Sequence, residues 1–231
     1  MIPPKRNKAT VVSNKALSSK VYVCRFRVDD DFSYSAGQYG SFILEPTVRR
    51  NLSFATPPNG KEFEICADVT PMGPISTWLV GAKSGDTIEF IGPLGKFIVN
   101  NESLRKKIFV ATGTGIGPVR SQVLDETRLG KKEEFWLYWG LRFEDDVFWD
   151  DEFRGLTASN PHFHYTLTLS KPTIAWKGVD GRVTDHLFDQ KEELSNFDFY
   201  LCGSREMVID VTSRLLQKNV PKEQIKTELF Y

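Results

Sequence analysis

The chain has 231 residues, enough for two modest domains; 40% hydrophobic and 26% charged residues are ordinary for a globular protein. Thirty basic residues balance thirty acidic ones, which leaves no nucleic-acid footprint. No apolar run is long enough to span a bilayer as a helix, and the charged N-terminus has no apolar stretch behind it, so no signal peptide is expected. The three scattered cysteines, Cys24, Cys66 and Cys202, suit reduced thiols in a cytoplasm and offer no iron–sulfur or zinc ligand set.

Residues 9 to about 102 are expected to be all-β. Lys20–Val28 alternates apolar and polar side chains at period two, and Gln38–Leu44, Phe63–Val69 and Thr87–Ile91 are further candidate strands. Ile75–Val80 reads as a short helix. Short strands at this spacing predict a small antiparallel barrel.

From Lys107 the pattern changes to alternating strands and helices. Strands are expected at Ile108–Ala111, Phe135–Gly140, Phe163–Leu169, Phe197–Cys202 and Ile225–Phe230. Helices are expected after Pro118, over Val147–Leu156, from an N-cap at Thr184 to Leu194, and over Arg205–Lys218. This repetition predicts a doubly wound, five-stranded parallel sheet. The boundary is placed at Asn100–Ser103, giving a first domain over 1–102 and a second over 103–231.

Lys107–Ser121 joins a buried strand to a helix through Gly113, Gly115 and Gly117, with Pro118 suited to the first helical turn. A helix N-terminus behind a glycine turn attracts anions such as a pyrophosphate. Read alone, the segment fits a tight strand-to-helix turn equally well, because G-x-G-x-G-P is not the dinucleotide fingerprint. Two other stretches bear on this. Arg50-Asn51-Leu52-Ser53 places a forked cation near a hydroxyl. Gly73-Pro74-Ile75-Ser76 leads into the short helix, as an ordinary turn also would.

Taken together and in this order, these stretches resemble the ferredoxin–NADP reductase family of flavoproteins. Arg50–Ser53 resembles its R-x-Y-S motif and Gly73–Ser76 its pyrophosphate turn. Thr112-Gly113-Thr114-Gly115-Ile116-Gly117-Pro118 resembles its nicotinamide-nucleotide loop, Tyr138–Arg142 its Y-x-G-x-R strand end, and Leu201–Met207 its C-G-x-x-x-M signature. The resemblance implies an FAD-binding barrel followed by an NAD(P)-binding sheet.

On that resemblance Ser53, Cys202 and Glu228 are the expected catalytic residues: Ser53 at the flavin N5 edge, Cys202 against nicotinamide C4, and Glu228 organising the hydride-transfer site. Arg50, Asn51, Leu52, Ser53, Gly73, Pro74, Ile75 and Ser76 are expected at FAD. Thr112, Gly113, Thr114, Gly115 and Arg142 are expected at the nicotinamide nucleotide. Ser170 and Lys171 are expected at a 2′-phosphate, which leans the choice to NADPH, while Trp176–Arg182 resembles NADH-using relatives as much and keeps NADH as the alternative. Phe230 and Tyr231 are expected to cover the ring systems. Leu52 departs from the usual tyrosine and packs where that residue would stack on the flavin.

The implied activity is hydride transfer between NAD(P)H and FAD, with single electrons exchanged with ferredoxin or flavodoxin. Basic residues of the first half, Lys5, Arg6, Lys8, Lys15, Lys20, Arg49 and Arg50, are candidates for steering such an acidic carrier. A flavin reductase, an oxygenase reductase component and a non-catalytic electron-transfer subunit are the alternatives. The run Glu144, Asp145, Asp146, Asp150, Asp151, Glu152 reads as a solvated helix start favoured by the dipole.

Overall fold

The computed structural model describes every residue except Met1, Asp31, Pro71, Gln190, Lys191 and Tyr231. In chain order the first half runs β1 (Lys5–Ala16), β2 (Val21–Val28), β3 (Tyr39–Glu45), β4 (Val48–Ser53), β5 (Glu62–Asp68), α1 (Pro74–Gly81) and β6 (Thr87–Leu94). The six strands form one antiparallel sheet in the order β4-β3-β6-β1-β2-β5. The sheet curls until its edges meet: Phe54 bridges Ile65, and the Ala55 N–H donates to the Glu64 carbonyl at 2.7 Å. Phe26, Phe42, Phe54, Phe63 and Phe90 are fully buried inside, and their tilted and edge-on ring pairs fill the barrel.

The second half runs β7 (Lys106–Thr112), α2 (Ile116–Arg128), β8 (Phe135–Leu141), α3 (Asp150–Ser159), β9 (Phe163–Leu169), β10 (Val179–Asp180), α4 (Val183–Leu187), β11 (Phe197–Gly203), α5 (Arg205–Gln217) and β12 (Ile225–Leu229). The parallel sheet has the order β10-β9-β8-β7-β11-β12, so the two-residue β10 extends the expected five strands to six. Side chains along β7 alternate between two cores. Phe109 and Ala111 join the face carrying α2 and α3; Ile108 and Val110 join the face carrying α5. The first of these cores also contains Ala55, Cys66 and Phe97, so it runs without a break into the barrel half.

Two expectations shift. The helix expected from Val147 starts at Asp150, because Trp149 adopts a left-handed conformation at φ 57°. The helix expected from Thr184 to Leu194 is a five-residue turn. Thr184 is buried inside it, and Asp185 Oδ2 accepts from the Arg182 N–H at 3.0 Å. The longest strand, β1, has no strong sequence signal, since its buried residues are only Asn7, Ala9 and Val11.

Candidate active site

Strand order reverses between β7 and β11: from β7 the chain builds outward to β8, β9 and β10, then crosses back to β11 and β12. In such sheets ligands bind outside the carboxyl ends of the strands at this switch point. Here those ends are Thr112–Gly113 and Cys202–Gly203, which close against each other. Thr112 Oγ1 accepts from the Ser204 N–H at 2.9 Å. A Cβ on Gly115 would stand 2.6 Å from the Cys202 carbonyl oxygen, so only glycine fits there. Gly113, at φ +54°, faces open space, and Trp139 Nε1 donates to its carbonyl at 3.2 Å. The loop is therefore pinned from behind and open in front.

The barrel meets the switch point through Ser53, the last residue of β4. Ser53 is 7% exposed, and its Oγ donates to Glu228 Oε1 at 3.1 Å. Glu228 is the register neighbour of Cys202 across β12 and β11. The three expected catalytic residues, from positions 53, 202 and 228, thus stand side by side. Burial pushes the Glu228 carboxyl up to about 7, with the Ser53 hydrogen bond opposing that shift. Burial also raises the Cys202 thiol well above its usual range, and the Glu228 charge adds to this, so Cys202 is a protonated, apolar thiol, fully buried at the end of β11. Phe230 packs against the same core, and its N–H donates to the Gly203 carbonyl at 3.0 Å. Tyr231 lies outside the described residues.

Two groups by β4 suit a pyrophosphate, an exposed arginine and an uncapped helix start. Arg50 is exposed, its Nη1 donating to the Arg49 carbonyl at 3.0 Å. The first turn of α1, against β2 and β4, begins at Gly73 and Pro74 with no side-chain cap and no acidic residue. Its leading N–H groups are thus available to an anion, and Arg50 lies on the neighbouring β4. Ile75 is buried, which fixes that turn, and Ser76 is half-buried. Leu52 packs against the barrel core, and Asn51 is exposed.

At the ends of β8 and β9, the Lys171 N–H donates to the Arg142 carbonyl at 2.9 Å and the Ser170 N–H to the Leu141 carbonyl at 3.0 Å, which sets two exposed cations on one rim. Glu144 holds the following loop by accepting from the Thr173 N–H at 2.7 Å and its hydroxyl at 2.6 Å. Much of the acidic run is ion-paired: Lys20 binds Asp146 at 2.8 Å, Arg154 binds Asp150 at 2.7 Å, and Glu152 takes a fork from Arg120. Of the basic residues considered for carrier steering, Lys20 is therefore engaged across the two halves, and Arg6 pairs with Glu89. Three positioning contacts had no sequence signal at all: Trp139 behind Gly113, Thr112 beneath Ser204, and Arg120 between the halves.

Residues 8–98 match the oxidoreductase FAD-binding domain and residues 109–213 the oxidoreductase NAD-binding domain. A ferredoxin–NADP reductase B from Sorangium cellulosum is 29% identical over 243 residues, spanning 100% of both chains. A component of the Na(+)-translocating NADH-quinone reductase from Methylococcus capsulatus is 32% identical over 190 residues; these cover 79% of this chain and 45% of the relative, so the chain spans about half the length of that component. Among solved structures, an Amycolatopsis cytochrome P450 reductase shares the fold at a TM-score of 0.91 and 23% identity, over 99% of this chain and 70% of that one. A ferredoxin NADP+ reductase from Neisseria gonorrhoeae with bound FAD and NADP shares it at 0.84 and 19%, over 98% and 99% of the two chains. Among the described residues no helix is long and apolar enough to cross a membrane.

Proposed function

The chain belongs to the ferredoxin–NADP reductase family of FAD-dependent NAD(P)H oxidoreductases, and on that footing we propose how its residues divide the work. The observation that carries the reading is the Ser53–Glu228 hydrogen bond, which joins barrel and sheet beside Cys202. A bound flavin supplies the difficult chemistry, acceptance of a hydride and release of electrons one at a time.

The protein orients, excludes water and manages a proton. The α1 N-terminus and Arg50 hold the FAD pyrophosphate, with Asn51, Leu52 and Ser76 lining the approach. The Ser53 hydroxyl would lie at the N5 edge of a flavin held there. Thr112, Gly113, Thr114 and Gly115 receive the nicotinamide-nucleotide phosphates at the switch point. Arg142, Ser170 and Lys171 receive the 2′-phosphate of NADPH. Cys202 gives the nicotinamide an uncharged surface, and Phe230 shields the crevice until the nicotinamide takes its place. Glu228, with its carboxyl near 7, holds a proton or releases it close to neutrality, and the Ser53 hydroxyl, which donates to Oε1, is the group that feels the change.

The electron acceptor in this reading is a small acidic carrier protein of the ferredoxin or flavodoxin kind, approached through basic residues of the first half such as Arg49 and Arg50. Three free, buried cysteines favour a reducing cytoplasm.

Ser53→Ala tests the assignment. The variant is expected to retain FAD and bind NADPH within about threefold of the parent, while flavin reduction slows about a hundredfold, the scale for loss of one oriented donor. An unchanged reduction rate would remove Ser53 from the reaction. NADH reducing the flavin as efficiently as NADPH would remove the 2′-phosphate role of Lys171.

A further inference from the structure

Three consecutive residues of α2 reach from the sheet half into the barrel half, and each donates to a backbone carbonyl there. Arg120 Nη1 bonds the Ala55 carbonyl at 2.8 Å, Ser121 Oγ bonds the Thr56 carbonyl, and Gln122 Nε2 bonds the Phe97 carbonyl at 2.7 Å. All three are buried, Arg120 at 9% exposure and the others at 0%. Consecutive residues on a helix point about 100° apart, so the barrel grips a wide arc of this turn while Val119 and Val123 pack on the sheet.

Arg120 does more than its neighbours. The same Nη1 lies 3.0 Å from Glu64 Oε2 on β5, while Nε and Nη2 fork onto Glu152 at 2.7 and 2.8 Å. The indole of Trp149 covers the guanidinium, its ring centre 4.3 Å from Cζ. Trp149 holds its left-handed backbone conformation in that position, a strained arrangement for a bulky residue. One guanidinium therefore ties four pieces: the segment after β4, β5, α2 and the start of α3. It does so at the seam where the barrel closes, since Ala55 and Glu64 are the residues whose backbones join there.

The two arms of this joint are short. Gly115 lies five residues before Arg120 on a helical path, about 7.5 Å at 1.5 Å per residue. Ser53 lies two residues before Ala55 on an extended path, also about 7 Å. Both arms are buried and rigid: Gly115 abuts the Cys202 carbonyl and Ser53 bonds Glu228.

We propose that Arg120 is the positioning residue that sets the separation between the flavin edge at Ser53 and the nicotinamide loop at Gly113–Gly115. This rests on the functional reading above. A planar, five-donor side chain is required, because lysine keeps the charge and cannot engage Ala55, Glu64 and Glu152 together. Hydride transfer is steep in distance, and a misplacement of about 1 Å costs on the order of a hundredfold. Arg120 touches neither ring; it acts through α2 and the segment after β4.

The test uses the FAD-loaded protein with Arg120→Lys and, separately, Glu152→Gln, a milder change at a half-exposed partner. Spin labels are placed on cysteines introduced at the exposed positions Lys8, on the barrel, and Glu206, on α5; the three native cysteines are buried. The parent is expected to give one narrow inter-label distance, and both variants a broadened or shifted one. Flavin reduction at saturating nucleotide is expected to slow tenfold or more in Arg120→Lys, with FAD and nucleotide affinities within about threefold. Should Arg120→Lys lose its flavin, the Glu152→Gln distance distribution decides. A distribution of parental width in Glu152→Gln, or a rate within twofold of the parent in a flavin-retaining Arg120→Lys, overturns the proposal. A parent protein that NAD(P)H does not reduce instead overturns the functional reading, while the distance arm still reports on the joint.

Discussion

Ser53 and Glu228 lie 175 residues apart in sequence and share a 3.1 Å hydrogen bond that joins β4 to β12. It ties one edge strand of the barrel to one edge strand of the parallel sheet. Its acceptor is a carboxyl that burial lifts from 4.5 to about 7.

That lift makes stability depend on pH. Between the two values the folded chain binds a proton at Glu228 that the unfolded chain has released. The contribution is therefore fully present below about pH 4.5 and is lost as pH rises through about 7, amounting to about 3 kcal/mol. Glu228→Gln removes the titration. Urea unfolding of the flavin-free protein at pH 5 and pH 8 should show the parent losing stability with rising pH by more than the glutamine variant does. Equal losses in the two proteins would mean that Glu228 does not carry the shift.

Gly113 and Gly115 should respond oppositely to alanine. At Gly115 the new Cβ would meet the Cys202 carbonyl at 2.6 Å and Gly203 Cα at 2.7 Å, backbone atoms that cannot swing aside. Overpacking of this kind costs about 1–3 kcal/mol, read by thermal unfolding. At Gly113 the Cβ meets nothing within 4 Å, and only the left-handed φ of +54° is penalised, by about 1 kcal/mol. Its methyl would project into the open front of the loop, so NADPH affinity should fall tenfold or more, read by equilibrium titration.

Arg50 is exposed, and its guanidinium donates to the carbonyl of its own neighbour, Arg49, rather than to a distant element. Arg50→Ala should change unfolding free energy by no more than about 0.5 kcal/mol. FAD affinity should fall by about 1.5–3 kcal/mol, the scale of a charge-assisted hydrogen bond. Fluorescence recovery on flavin release measures this directly.

The buried Lys107–Glu126 pair, at 3.1 Å with side chains 1% and 3% exposed, lies toward the start of β7, away from the Thr112–Gly113 end. Lys107→Met leaves the Glu126 charge buried and should cost about 3–5 kcal/mol, with Lys131 at 3.0 Å relieving part of it. A Lys107→Met, Glu126→Leu double variant should recover most of that loss. The rate of flavin reduction should stay at the parental value in both.

The β-α alternation after Lys107 was legible because each buried strand is a short apolar run and α2 has its breaker in Pro118, whereas the starts of α3 and α4 carry no such signal. The strand–glycine–helix segment was legible as a shape, and its partners were not. What presses on Gly115 is the Cys202 carbonyl, 87 residues away, and no local pattern encodes that approach. The long strand β1 escaped because its inward positions are Asn7, Ala9 and Val11, of which only the last is a strong strand former. Trp149 gives no local sign of its left-handed backbone, which goes with a ring laid over a guanidinium from 29 residues away. The Ser53–Glu228 pairing was reachable only through the family resemblance, since spacing says nothing about residues from two domains.

The functional reading stands on this chain holding its own flavin, with NAD(P)H reducing it in place. The most direct measurement is the absorption spectrum of the purified protein after desalting, followed by anaerobic addition of NADPH and then, in a separate sample, NADH. The expected result is a retained yellow spectrum that bleaches on adding nucleotide, faster with NADPH. A colourless protein that oxidises nucleotide only when free flavin is supplied would contradict it.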